Sequence, residues 1–315
     1  MLVNAEVFGV TGTAGASPDC RSVTEGGSIP DAYGTWVLVP GNDDYGTNDF
    51  CVMKYEAKCS RSNATSSECT TNISTESPTS TAANYPWVFI SQQDAITECA
   101  SLGKGYHLMT NDEWMTIASN IAARGSNWSG DSVGVGQLSR GHSDNSPTIA
   151  CPADTVDTNA FLEDDAGTSC TTYATGTEDE EDRYRRTDTL SNDAVIWDIA
   201  GNVREWTSYF NVSDKPYPQA GSPDANWYNY DYPVVSSSSL QLDDLVPQAA
   251  ISGSWDHTAQ SIGRFYPDIN TTGGAGVRGG IFSNTSTSGI FTMLLNYSPS
   301  DTSGAVGFRC VVSAP

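Results

Sequence analysis

Missing first is any apolar run long enough for a membrane span. No stretch approaches the ~18 residues that one needs, so no membrane insertion is expected. Basic residues are scarce as well: 15 Lys and Arg stand against 38 Asp and Glu, a formal charge of -23 over 315 residues. Such an acidic body repels phosphate backbones and anionic lipid, which sets nucleic acid and membrane surfaces aside as partners. Only three histidines occur, His107, His142 and His257. They are far apart, and a lone histidine is more often a core or surface residue than a ligand. The N-terminus, MLVNAEVFGV, lacks a basic region followed by a long apolar one, so it does not read as an intact signal peptide. Export then rests on a signal already removed or on another route.

No two of the eight cysteines have CxxC spacing, which excludes zinc ribbons and thioredoxin-type redox sites. Eight thiols in a Ser/Thr-rich, Lys-poor chain read as disulfides of an oxidising compartment. The expected location is extracellular, on a cell surface or on a virion. Cys59 and Cys69 would staple a Ser/Thr/Asn loop running from Cys59 to Asn84. Cys151 and Cys170 bracket part of a second loop.

Residues 1–34 read as an extended arm or early strand, and 35–315 as a single domain, since no clear linker divides them. Strand signals occur at Trp36–Val39 and in FCVMKYEAK, Phe50 to Lys58, where Cys51, Met53 and Tyr55 share one face. Two helices follow. Ser91 caps the first, which runs to Leu102 with Ala95, Ile96, Cys99 and Leu102 on its apolar face; Gly103 ends it. The second spans Thr110 to Ala123, with Thr110 and Glu113 as a capping box and Trp114, Ile117, Ala118 and Ile121 as the buried stripe. Beyond Arg124, Gly, Ser, Asn, Asp and Pro dominate to about residue 190. A loop that long is normally functional or pinned by cross-links. The acidic run Glu178 to Asp182, followed by Arg183, Arg185 and Arg186, reads as a solvated loop with internal charge pairing. Short strands then recur to the C-terminus. Helices first and strands later make an α+β domain.

The segment WDIAGNVREW, Trp197 to Trp206, resembles the formylglycine-generating-enzyme-type family. Other blocks resemble it in order: FCVMKYEAK, the helix around Ala95 to Cys99, YHLMTNDEWMTIA, VRGGIFS and GFRCVVS. The resemblance implies a modified C-type lectin fold, in which N- and C-terminal strands lie side by side. It implies a disulfide between Cys99 and Cys310, which leaves Cys20 for Cys51. It also implies a structural calcium site at Asp198, Gly201, Val203 and Glu205, with carboxylate and backbone oxygens gathered around a bend at Gly201. Without calcium, Asp198 would cap a turn and Glu205 would pair with Arg204 or Arg278. Trp197, Trp206 and Trp255 are expected in the core.

Family oxidases hold copper on two cysteines after Gly-Gly. In register, those positions are Asn284 and Gly289, and no cysteine lies between Cys170 and Cys310. A thiolate site for a soft metal therefore has no ligands there. Some members of this family are variable proteins of diversity-generating retroelements, in which template adenines become any base. The segment Ile281 to Gly304, IFSNTSTSGIFTMLLNYSPSDTSG, holds almost only residues reachable from an Asn codon that way. The fixed-looking flanks are RGG and GFRC, placing a variable region at about 278–310. Compared with the family pattern, the resemblance implies that Ile281, Ser283, Asn284, Thr287, Leu294, Asn296, Tyr297, Asp301 and Ser303 form a variable, ligand-binding face. Gly289, Phe291, Met293, Leu295 and Pro299 are scaffold. Short polar and aromatic side chains on a rigid frame suit variable recognition. The expectation is a non-enzymatic display protein that binds a protein on another cell, virus or host. A carbohydrate ligand stays open, because the fold name confers no sugar binding. The alternatives are a metal-dependent oxidase and a constant structural surface protein.

Overall fold

The computed structural model describes residues 28–59, 69, 76–162, 169–175, 183–210, 217–218, 226–231, 234–235, 241–267 and 274–313. The arm before residue 28, Cys20 and the run Glu178 to Asp182 lie outside them.

Two five-stranded sheets carry the domain. The first has the order Ser28–Asp31, Gly34–Val39, Phe50–Met53, Cys310–Ser313 and Tyr106–Leu108, each neighbouring pair antiparallel. The last strand of the chain thus sits between two early ones, as the lectin-type expectation requires. The strand Phe50–Met53 is shorter than its sequence signal, and all four of its residues are buried. Alternation survives but does not separate core from solvent. Phe50 and Val52 join the second helix in one apolar cluster, while Cys51 and Met53 join Trp36 and Trp87 in another. A sheet covered on both sides reads as a continuous apolar run.

Both helices start where their caps predict. The first is Gln92–Ser101, with the Ser91 hydroxyl accepting from the Asp94 N–H. Its buried face is Gln92, Ala95, Glu98 and Cys99, whereas Ile96 is exposed. That corrects the expected apolar stripe, since Ile96 lies one 100° step away from Ala95. The second is Asn111–Ala122, closed by the Thr110–Glu113 capping box. Trp114, Ile117, Ala118 and Ile121 are all fully buried.

The second sheet has the order Phe265–Tyr266, Met293–Tyr297, Ala275–Arg278, Arg204–Phe210 and Val306–Phe308. It positions the C-terminal segment. Ala275–Arg278 and Met293–Tyr297 run antiparallel, so residues 279–292 form the connection over one end of the sheet. Disulfides join Cys59 to Cys69, Cys99 to Cys310 and Cys151 to Cys170. Cys51 is also disulfide-bonded. Among the described residues, no helix is long and apolar enough to cross a membrane.

Candidate ligand-binding face

The Gly-Gly step that opens the segment is dictated by contact. Gly279 and Gly280 both have positive φ, +89° and +100°. A Cβ at Gly279 would lie 2.7 Å from the Ile199 carbonyl oxygen, and one at Gly280 2.5 Å from the Ser288 hydroxyl. Only glycine combines that backbone with that approach. The chain then forms a turn of 3-10 helix at Thr285–Thr287. This turn is laced to the loop around His142: the Asn145 N–H donates to the Phe282 carbonyl at 2.7 Å and the Thr285 N–H to the Ser143 carbonyl at 2.7 Å. Residues Ser288 to Leu295 then run through the interior. Their middle is anchored by the Trp114 indole, which donates to the Ile290 carbonyl at 2.7 Å.

The segment is therefore a buried frame with two surface arms. Ser283, Asn296 and Asp301 are exposed; Ile281, Asn284, Thr287, Tyr297 and Ser303 are half-buried. Leu294 is not on the surface. It is 3% exposed, pairs in register with Val277 and Tyr266, and packs in the cluster around Trp206. As a contact for a ligand it is corrected: the family pattern put it in the variable set, but here its side chain is covered by the cluster around Trp206. Gly289, Phe291, Met293 and Leu295 are buried as scaffold. Pro299 is half-buried.

Several of the surface candidates also serve the turns. Asn284 Oδ1 accepts from the Ile281 N–H at 3.1 Å. Asp301 Oδ2 accepts from the Ser298 N–H at 2.7 Å. The Tyr297 ring stands edge-on to Trp206, centroids 5.5 Å apart. The two arms meet at Arg204. Its Nη1 donates to the Tyr297 hydroxyl and its Nη2 to Asn284 Oδ1, both at 3.1 Å. Sequence reading gave Arg204 no place in the face.

Beside this meeting point opens a cleft of about 330 Å³ lined by Tyr85, Pro86, Val88, Ile149, Ala150, Phe282 and Gly304. Its rim carries large apolar groups in solvent: Phe89 is 41% exposed and Ile149 45%. The Phe89 N–H donates to the Ser303 carbonyl at 2.9 Å. A Cβ at Gly304 would fall 2.7 Å from the Phe89 ring, so that ring lies directly on the backbone of the second arm. Exposed apolar patches rimmed by polar groups mark interaction sites. These walls were not legible in sequence, where NYPWVFI reads as an ordinary apolar run.

Below the face lies a network of buried charges. Both Asp198 oxygens accept from Arg186, each at 2.7 Å. Glu205 Oε1 accepts from Arg309 Nε at 2.7 Å. Asn202 donates to Glu56 Oε2 at 2.6 Å and the Val203 N–H to Glu56 Oε1 at 3.2 Å. Arg186 is thus buried and paired rather than part of a solvated loop. Glu205 pairs with neither Arg204 nor Arg278, although Arg278 is its register partner in the sheet. Burial pushes Glu205 up to about 7 and Glu56 up to about 8. His142 is buried between Asn202 and the Pro147 carbonyl, and burial pulls it down to about 4. It is a neutral packing residue, in keeping with the reading of a lone histidine as a core or surface residue. Trp197 and Trp206 are fully buried; Trp255 is partly buried against Trp128.

This donor set does not fit calcium. The ion wants six to eight oxygens, yet three of the four carboxylate oxygens of Asp198 and Glu205 already accept from guanidinium groups. The remaining one, Glu205 Oε2, is buried without a hydrogen-bond partner. Among the described residues no group of three or more His, Cys, Asp or Glu is placed to hold a metal. Arg186 and Arg309 supply the positive charge that the resemblance gave to an ion. The signal for Arg309 was in the sequence: a single arginine within an otherwise apolar run, GFRCVV, announces a buried, paired guanidinium. Titrating the protein with calcium, or with a chelator, is expected to leave the unfolding midpoint in place. A structural site filled at a hundred times its dissociation constant would add about 2.7 kcal/mol, and a rise of that size would refute the assignment.

A comparison with curated proteins gives no match. Among solved structures, the chain is similar to PvdO from Pseudomonas aeruginosa, at 12% identity and a TM-score of 0.38, over 93% of this chain and 100% of that one. It is similar to the Major Tropism Determinant P3c variant at 12% identity and a TM-score of 0.36, over 91% of this chain and 54% of that one. Treponema denticola variable protein 1 matches at 13% identity and a TM-score of 0.38, over 91% and 98%. Identities this low assign no function. The sequence itself matches the sulfatase-modifying factor enzyme 1-like domain, FGE-sulfatase, over residues 32–314, and the chain belongs to that family.

Proposed function

We propose that the chain is a non-enzymatic binding protein that displays a variable recognition face, diversified by a retroelement, outside the cell. The face comprises Ile281, Ser283, Asn284, Thr287, Asn296, Tyr297, Asp301 and Ser303, with the apolar cleft beside it. One observation carries the reading. The two arms that hold these residues converge on Arg204, while the stretch between them is locked into the core. Fully exposed side chains on the arms, Ser283 and Asn296, can change with little effect on the frame, because such substitutions usually stay within about 0.5 kcal/mol. The partner is a protein on another cell, virus or host: polar arms beside an apolar cleft suit a protein surface with a protruding apolar group.

The oxidase reading is disfavoured by geometry as well as by composition. Every described cysteine is in a disulfide. At Gly289, one of the two positions that would need a thiol, a Cβ would fall 2.4 Å from the Gly263 nitrogen and 2.5 Å from the Ile262 carbonyl carbon. No cysteine fits there without moving backbone. The disulfides also agree with an oxidising location.

Sequencing the DNA beside the gene tests the reading. The expected finding is a near-repeat of the segment coding for 277–310, differing from it at adenines, next to a reverse transcriptase. Identical residues 281–304 in independent isolates, with no such repeat, would sink the diversification and leave a constant surface protein.

A further inference from the structure

We infer that Arg204 is a fixed anion anchor in the recognition face, and that it takes the carboxylate of an Asp or Glu side chain adjacent to an apolar side chain in the partner protein. The inference rests on the binding reading above and gives it a ligand chemistry. Arg204 starts a strand whose next three residues are buried, but is itself partly exposed. Two of its nitrogens reach the arms, and both of their acceptors are neutral: the Tyr297 hydroxyl and the Asn284 amide oxygen. The third, Nε, is buried with no hydrogen-bond partner. Among the described residues, no carboxylate lies within ion-pair distance of this guanidinium. Arg186 and Arg309, by contrast, each have a carboxylate of their own.

Arg204 is a half-buried residue whose largely desolvated guanidinium has only neutral partners, and so lacks a counter-charge. A carboxylate supplies two acceptor oxygens in the spacing of its N–H fork. The cleft defines the neighbour. Phe282, two residues before Asn284, and Gly304, two before Val306, line it, and Val306 is the register partner of Arg204 in the sheet. In this proposal, the side chain next to the one that fills the cleft is the one that meets Arg204. The apolar walls favour a hydrophobic side chain over a sugar. The overall charge of -23 opposes polyanions, so recognition of one carboxylate depends on short-range contact. Tyr297 and Asn284 both belong to the variable set, so the frame around the anchor changes while the charge stays.

An NMR titration of the whole chain tests this, following the Ile149 methyl groups for the cleft and the Arg204 Nε–H for the anchor. The probes are N-acetyl-Phe-Glu-amide, its Phe-Gln counterpart and methyl glucuronide. Both peptides should move Ile149, and the Glu peptide should bind about tenfold tighter and shift the Arg204 signal. In Arg204→Met the tenfold difference should vanish. Tyr297→Phe leaves Arg204 in place with one nitrogen released, and should widen the preference for Glu. That variant decides the matter if Arg204→Met does not fold. Equal affinity for Glu and Gln, or a preference unchanged in either variant, overturns the anchor and leaves the cleft standing. Glucuronide binding as tightly as the Glu peptide overturns the protein carboxylate. If no probe moves Ile149, the cleft falls as a binding site, and the anchor with it.

Discussion

Replacing Arg309 with methionine is expected to cost about 3–5 kcal/mol of stability, the range for breaking a buried ion pair from one side. The side chain is wholly buried, and all five of its N–H groups are used. Nε donates to Glu205, Nη1 to the carbonyls of Met53 and Lys54, and Nη2 to those of Trp197 and Asp198. One guanidinium thus ties the end of Phe50–Met53, the Trp197 turn and the strand bearing Glu205 to the last strand of the chain. Methionine fills the volume, so the loss is charge and hydrogen bonding rather than a cavity. Lysine is no rescue, because its three donors cannot serve five directions. The pH dependence has a definite sign. Burial already lifts Glu205 to about 7 with Arg309 beside it, and removing that charge raises it further. The folded variant then keeps a proton that the unfolded chain releases near 4.3. Its deficit relative to the native protein should widen as pH rises above about 7. Urea midpoints at pH 6 and 9 measure both effects. A loss under about 1 kcal/mol would mean that the network is not what holds these elements together.

Substituting both Cys99 and Cys310 with alanine should cost about 5 kcal/mol. The bridge closes a loop of 211 residues, and the entropy withheld from the unfolded chain grows with the logarithm of loop length. It joins the first helix to the last strand, with both sulfurs buried. Removing the Cys59–Cys69 bridge, which spans only 10 residues, should cost roughly 3 kcal/mol by the same relation. The ordering of the two variants in thermal unfolding is the measurement. If the long bridge proves the cheaper to lose, the loop-closure account fails for this fold.

Much of this was legible because local chemistry spoke for itself. Ser91 and the Thr110–Glu113 pair fix both helix starts through side-chain caps, which need nothing from elsewhere in the chain. The flank RGG was readable as fixed, but why Gly279 and Gly280 must be glycine was not, since the atoms that leave no room for a Cβ belong to Ile199 and Ser288. What failed depended on the far side of a sheet. Leu294 and Ile96 look equivalent to exposed and buried neighbours respectively in a periodic pattern. Their burial is decided by elements tens of residues away. The carboxylates Asp198 and Glu205 were readable as a cluster, but a cluster of anions does not say which cation answers it. Arg186 lies in a loop and Arg309 in the break between the last two strands, and sequence distance kept both apart from the carboxylates. The cleft was unreadable for the same reason, since Tyr85, Ile149, Phe282 and Gly304 meet only in three dimensions.

The final strand, Cys310–Ser313, lies in the middle of its sheet, flanked by Phe50–Met53 on one side and Tyr106–Leu108 on the other. A nascent polypeptide interrupted between Leu108 and this strand, by a premature stop or a shifted reading frame, would leave two partner strands with bare edges and no Arg309 to bind them. Such products should aggregate or be degraded. Folding to completion thereby certifies that everything translated before it, including the segment that faces the partner, was read through in frame.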